Sequence, residues 1–247
     1  MYRETLGLVL RETEYKESSR ILTVLTATEG KITVQARGAK RKGSKVAAAT
    51  QLLSFSEMTL FTQKDRYTLT EARSVELFRG LREDIGKLAL GSYFAELLDN
   101  LSDEDAPNPE MLSLGLNALY ALSEGLRSDA VIKAAFELRL MCLAGFEPLL
   151  DACAVCGRAE PEVPVLSLLG GTLFCAGCRP EDAGESLTLS KGTLDAMRHI
   201  TRVDPKKLYA FRVGETTERQ LSRVCESYLL TQLGRGFGTL DFYRSIV

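Results

Sequence analysis

The sequence predicts an α+β multidomain protein: a small β-barrel at the N-terminus, then a helical domain that carries a metal-binding insert. Three observations carry this. Segments of strand-like composition and period two fill the first 80 residues, helical periodicity replaces them after Gly80, and two C-x2-C pairs interrupt the helical part. The chain has 247 residues, 45% hydrophobic and 26% charged, so it can bury a core. At about 100 to 200 residues per domain it is one large domain or two smaller ones.

The strand-like segments are Thr5 to Arg11, Ile21 to Ala27, Lys31 to Arg37, Leu52 to Thr62 and Tyr67 to Arg73. They are rich in Val, Ile, Thr, Leu and aromatic residues, and the third alternates cleanly, with Ile32, Val34 and Ala36 against Lys31, Thr33 and Gln35. Breakers separate them at Thr28-Glu29-Gly30, from Gly38 to Gly43 and at Gln63-Lys64-Asp65-Arg66. Five short strands suit a closed barrel, because closure removes exposed strand edges. The five-stranded OB-type barrel is the most economical candidate, and an SH3-like barrel fits nearly as well by strand count.

Leu81 to Leu101 places Leu81, Ile85, Leu88, Ala89, Ser92, Ala95 and Leu98 at helical spacing and ends in the acidic loop from Asp103 to Pro109. Helices follow over Glu110 to Ser123 and Ser128 to Ala144; the second is apolar almost all round, as expected of a helix central to a bundle. Helical periodicity returns after Leu189, with Ser190 as an N-cap and a stripe from Leu221 to Leu233 that Gly234 ends. The expected domains are 1–79 for the barrel and 80–247 for the helices, with an insert at 151–187.

That insert carries the strongest local signal. Cys153, Cys156, Cys175 and Cys178 form C-x2-C-x18-C-x2-C, and Gly170-Gly171 between two apolar runs predicts a hairpin that brings the pairs together. Four thiolates close a tetrahedral site with no vacant position, so one structural Zn2+ per chain is expected. Disulfides are disfavoured without an export signal, and a single redox C-x-x-C leaves the second pair unexplained. Cys142 and Cys225 fall on apolar helix stripes and read as core.

Net charge is only −2, but it is unevenly spread. Gly30 to Ser56 holds six basic residues and no acidic one, whereas Leu88 to Leu126 holds seven acidic residues and no Lys or Arg. Arg37, Lys40, Arg41, Lys42 and Lys45 fan from one mobile loop after a barrel strand, a placement that suits a phosphate backbone. Arg11, Lys16 and Arg20 lie on the neighbouring strand segment and are further candidates. Tyr67 is the expected stacking ring, with Phe55 and Phe61 assigned to the core. One histidine, His199, excludes any mechanism that needs two imidazoles, and its place near a helix end reads as structural. No G-x-S-x-G, G-x-x-x-x-G-K-[ST] or H-E-x-x-H motif is present. Apolar runs too short to span a bilayer and a start without an apolar h-region predict a soluble, cytoplasmic protein with no membrane contact.

Taken in order, Val9-Leu10-Arg11, Tyr15 to Leu22, Leu25-Thr26, Gly30, Ala36 to Arg41, Phe136 to Leu140, Gly145 to Pro148 and the Cys153 pair resemble the RecO family of bacterial recombination mediators. The resemblance runs over most of the chain. It implies an OB-type N-terminal domain, a helical domain with a zinc insert, binding of single- and double-stranded DNA, and annealing of complementary strands at the nucleoid. RecR and single-stranded-DNA-binding protein are the partners it implies. Gly236 to Asp241 departs from it, standing where the family often has a basic segment.

Two functions from different classes follow. One is a non-enzymatic mediator, since annealing needs phosphate repulsion lowered and no acid, base or nucleotide hydrolysis. On this reading Arg127, Lys133 and Arg139, on or beside the apolar helix, are expected to receive the acidic tail of single-stranded-DNA-binding protein. The alternative is a metal-dependent nuclease that uses acids of the Glu96 to Asp105 region.

Overall fold

In the computed structural model, which describes residues 1–64 and 66–247, the chain divides into two compact units, one of residues 1–124 and 237–247, the other of residues 125–236. Asp65, part of the turn expected at Gln63 to Arg66, lies outside the described residues.

The first unit opens with five strands, β1 (Tyr2–Tyr15), β2 (Ser19–Thr26), β3 (Lys31–Ala36), β4 (Phe55–Gln63) and β5 (Arg66–Glu76). They close in the order β1-β2-β3-β5-β4, with β3 and β5 parallel and the other pairs antiparallel. This is the OB-type barrel. β1 serves both its neighbours: its first half pairs with β4, its second with β2, and a register shift between Val9 and Arg11 bends it. Gly7 sits where the two pairings meet. A Cβ there would lie 2.4 Å from Val24 Cγ1, so only glycine fits.

Val9, Leu22, Val24, Ile32, Val34, Ala36, Met58, Leu60 and Leu69 fill the barrel. Leu8 is buried on the opposite face of β1, where helices cover the barrel; α3 (Pro109–Ser123) reaches it at Gly115, whose added Cβ would lie 3.5 Å from Leu8 Cδ2. The helix expected from Leu81 is two, α1 (Arg79–Arg82) and α2 (Ile85–Leu101), because the Asp84 side chain between them accepts from the N–H groups of Gly86 and Lys87 and starts a new helix. Asn108, followed by Pro109, caps α3 in the same way. The C-terminal helix α7 (Gly238–Ile246) belongs to this unit too. Glu96 of α2 accepts from the N–H and hydroxyl of Thr239, and Phe237 packs edge-on to Tyr93.

The second unit holds α4 (Asp129–Leu143), α5 (Lys191–Arg202) and α6 (Glu215–Leu233), with a three-stranded antiparallel sheet β7-β6-β8. Its strands are β6 (Pro164–Ser167), β7 (Thr172–Cys175) and β8 (Ser186–Thr188). The first two form the hairpin expected around Gly170-Gly171. Ser190 caps α5 through the Thr193 N–H, and Gly234 ends α6 at φ +61°. Among the described residues no helix is long and apolar enough to cross a membrane.

Candidate metal centre and nucleic-acid interface

The four cysteines converge. All four Sγ atoms lie within 4.8 Å of one another, and the Cys156 and Cys175 sulfurs are 3.6 Å apart. Thiolates about 2.3 Å from a tetrahedral Zn2+ stand about 3.8 Å from each other, so the Cys156–Cys175 pair is close to that spacing and the cluster is one that could hold a metal ion. Local backbone geometry sets it. Gly157, at φ +71°, turns the chain so that its N–H reaches Cys153 O, and the Cys153 N–H reaches Arg158 O. The Cys175 N–H donates to Cys153 Sγ at 3.2 Å. N–H groups of this knuckle, Cys156 first, bring the Cys153 thiol down to about 6, whereas loss of solvation pushes Cys175 up to about 12.

One arginine outside the motif holds the knuckle in place. Arg198 of α5 donates to the carbonyls of Leu150, Asp151 and Ala159 and pairs with Glu160. Tyr228 and Gln232 of α6 do the same for Phe146 and for Leu168 and Leu169. None of these side chains was legible as part of the site, because their partners are backbone carbonyls far along the chain.

The basic loop is built of turns. Its Lys40, Arg41 and Ser44 N–H groups are bonded to Ser18, Gly38 and Arg41 carbonyls, and Ala39 is buried in the barrel core as an anchor. Arg37, Lys40, Arg41, Lys42 and Lys45 all point to solvent. Lys40 pairs with Glu14, whose carboxyl it holds below the usual carboxylate range. Among the described residues no carboxylate pairs with the other four. Of the further candidates, Lys16 is exposed beside the Tyr15 ring, whereas Arg11 lies 3.7 Å from Asp99 and Arg20 3.2 Å from Glu12.

The aromatic assignment is reversed in part. Met58 and Leu60 of β4 face inward, so alternation turns Phe61 outward, where it packs on Tyr2 with ring centroids 5.3 Å apart. Tyr67 packs partly against the barrel core. Both line an open groove of about 580 Å3 on the barrel, together with Tyr15, Gln35, Arg37 and Arg66.

The three residues expected to receive an acidic tail are already engaged. Lys133 is 3% exposed and pairs with Glu137 at 2.8 Å and Glu226 at 2.7 Å, so the expectation that it meets an acidic tail is corrected: it is buried against two carboxylates of this chain. Its apolar helix left it no other low-energy place. Arg139 donates to the Ile200, Thr201 and Val203 carbonyls at the end of α5, and Arg127 to those of Phe211 and Leu126. The acids of the nuclease alternative are likewise occupied in part, Glu96 at the start of α7 and Asp99 by Lys31. His199 packs against Phe211 with the rings tilted at 57° and their centroids 5.2 Å apart.

Residues 1–78 match the family model described as recombination protein O N terminal, and residues 82–241 that of recombination protein O C terminal. The chain belongs to the RecO family. Its relatives within that family include a DNA repair protein RecO of Acetivibrio thermocellus, 32% identical over 99% of this chain and 97% of the relative. Another, from Symbiobacterium thermophilum, is 33% identical over 96% and 94% respectively. A third RecO, of Caldicellulosiruptor bescii, is 30% identical over 98% of each. Membership makes this a DNA repair and recombination protein, and the cysteine cluster is one that could hold a metal ion.

Proposed function

We propose that the protein binds single- and double-stranded DNA through the barrel and anneals complementary strands without catalysing a covalent step. It acts with RecR on strands coated by single-stranded-DNA-binding protein, in the cytoplasm at the nucleoid. The observation that carries the reading is the basic loop: Arg37, Arg41, Lys42 and Lys45 project from a turn anchored in the barrel by Ala39, with no carboxylate partner among the described residues. Such an array lowers the repulsion between two phosphate backbones, which is what annealing needs. The four-cysteine cluster fits one Zn2+ that folds the insert and leaves no open position for activating water.

For the acidic tail of single-stranded-DNA-binding protein, Arg127 and Arg139 remain candidates in the second unit, each partly exposed. Titrating a tail peptide against Arg127→Ala and Arg139→Ala tests this, and unchanged affinity in both folded variants excludes the site. The DNA reading is tested by salt titration of single-stranded and duplex binding, with log affinity falling linearly against log salt. Annealing of labelled strands without ATP supports the mediator. Cleavage of the same strands with Mg2+ or Mn2+ supports a nuclease instead.

A further inference from the structure

The four thiols of the cysteine cluster differ in what can reach them. Cys153 is 2% exposed and its Sγ accepts from the Cys175 N–H at 3.2 Å, whereas Cys156 is exposed and Cys175 and Cys178 are half-buried. The last three line an open cleft of about 390 Å3 beside Arg158, Glu162 and Val163, and Cys153 lies outside it. The cluster is thus closed on the side of Cys153 and open to solvent on the side of Cys156. Backbone bonds fix both cysteine pairs independently of their sulfurs, the Ala154 N–H to Leu173 O and the Ala176 N–H to Val163 O. Folding the insert around a metal requires four thiolates, but it requires no cleft through which a small molecule reaches three of them.

We infer that Cys156 is a modification site for oxidants of the peroxide class, and that its oxidation closes a disulfide to Cys175 and discharges the metal. The inference rests on the reading of the cluster as a zinc site. Zn2+ has no redox chemistry of its own, so the electrons that reduce an oxidant come from sulfur. Cys156 Sγ attacks one peroxide oxygen: the S–O bond forms, the O–O bond breaks and hydroxide leaves, giving a sulfenic acid. Cys175 Sγ, 3.6 Å away, then attacks the Cys156 sulfur; the S–S bond forms, the S–O bond breaks and a second hydroxide leaves. One peroxide has taken two electrons from two thiolates, and the hydroxides take up two protons from solvent as water. Cys153 and Cys178 alone cannot complete a tetrahedral site, so the Zn2+ leaves. The new bond joins one cysteine of each pair, which keeps all four residues adjacent, and a thiol reductant restores the site.

The test uses the unaltered full chain, with metal content measured before any reagent is added. Protein without Zn2+ at that point overturns the zinc reading, and this inference with it. In loaded protein, a small excess of hydrogen peroxide should release the Zn2+ to a chromogenic chelator, and peptide mapping without reduction should find Cys156 joined to Cys175. Dithiothreitol followed by Zn2+ should return the loaded form. Labelling with substoichiometric maleimide reads access to each sulfur without a variant that fails to fold: Cys156 should react about tenfold faster than Cys153. Zn2+ retained after peroxide, a disulfide joining any other pair, or first labelling at Cys153 refutes the inference and leaves the zinc reading standing.

Discussion

Replacing Lys133 by methionine separates a structural cation from a binding one. The ammonium lies 2.8 Å from Glu137 and 2.7 Å from Glu226, with Lys133 3% and Glu137 0% exposed. Methionine keeps most of the apolar stem and leaves a buried carboxylate without its cation, a change that costs about 3–5 kcal/mol. Against a total stability of about 5–15 kcal/mol that is a large fraction, and it should appear as a lower urea midpoint followed by far-UV circular dichroism. Adding Glu137→Met and Glu226→Gln to Lys133→Met removes the stranded charges and should recover most of the loss. The sign of the pH dependence follows from the same pair. Burial pushes Lys133 down, but the two carboxylates outweigh it, and the group stays above its ordinary 10.5. A raised folded value means that the stabilisation is fully present below 10.5 and is lost as pH climbs through the folded value. The alkaline loss of stability should be shallower in Lys133→Met. A cost below about 1 kcal/mol, or a triple variant no more stable than the single one, would refute the buried-pair account.

Three further outcomes are expected. Metal analysis should find one Zn2+ per chain, and Cys156→Ser should lose it and raise proteolysis between residues 150 and 188, while oligonucleotide affinity is retained; stoichiometry well below one in protein prepared without chelator counts against the site. Changing Arg37, Lys40 and Arg41 together to Ala should weaken DNA of any sequence and make the salt slope shallower by about 0.7–0.9 for each phosphate no longer neutralised; unchanged affinity and slope would leave the loop merely solvated. Arg139→Ala removes charged hydrogen bonds to three carbonyls at the end of α5 and should cost about 1.5–3 kcal/mol, with faster amide exchange at the start of the segment after Val203; exchange unaltered there would remove its capping role.

What the sequence makes legible is what local chemistry decides. Alternation in Lys31 to Arg37 is enough to place Ile32, Val34 and Ala36 inward, and Ser190 and Gly234 mark helix ends because capping acts within one turn. The cysteine pairs are legible for the same reason: a C-x2-C knuckle is a single turn, and Gly170-Gly171 closes the hairpin between them. Asp84 splitting one helical stretch into two is also local, but its cap competes with an uninterrupted apolar period and is hidden by it. The attachment of α7 to α2 through Thr239 and Glu96, or of Arg198 to residues 150–160, joins segments about 40 to 140 residues apart, and no periodicity encodes those pairings.

Charge shows the same division and sets what the barrel can offer to DNA. The window from Gly30 to Ser56 has six basic side chains and no acids within it, and composition alone counts all six. Folding brings acids from elsewhere: Asp99 lies 3.4 Å from the Lys31 ammonium, whose hydrogen bond to the Asp99 carbonyl is 2.6 Å, and Glu14 takes Lys40. Lys31 is thereby turned toward α2, and Lys40 must leave Glu14 before it meets a phosphate. Arg37, Arg41, Lys42 and Lys45 remain, so the loop offers four immediately available cations and a fifth at a cost. At about 0.7 per phosphate on a single strand, four neutralised phosphates give a salt slope near 3 in magnitude, against roughly 4 if all six cations were engaged. The difference measures how far the fold, and not the composition, determines the electrostatics of the barrel.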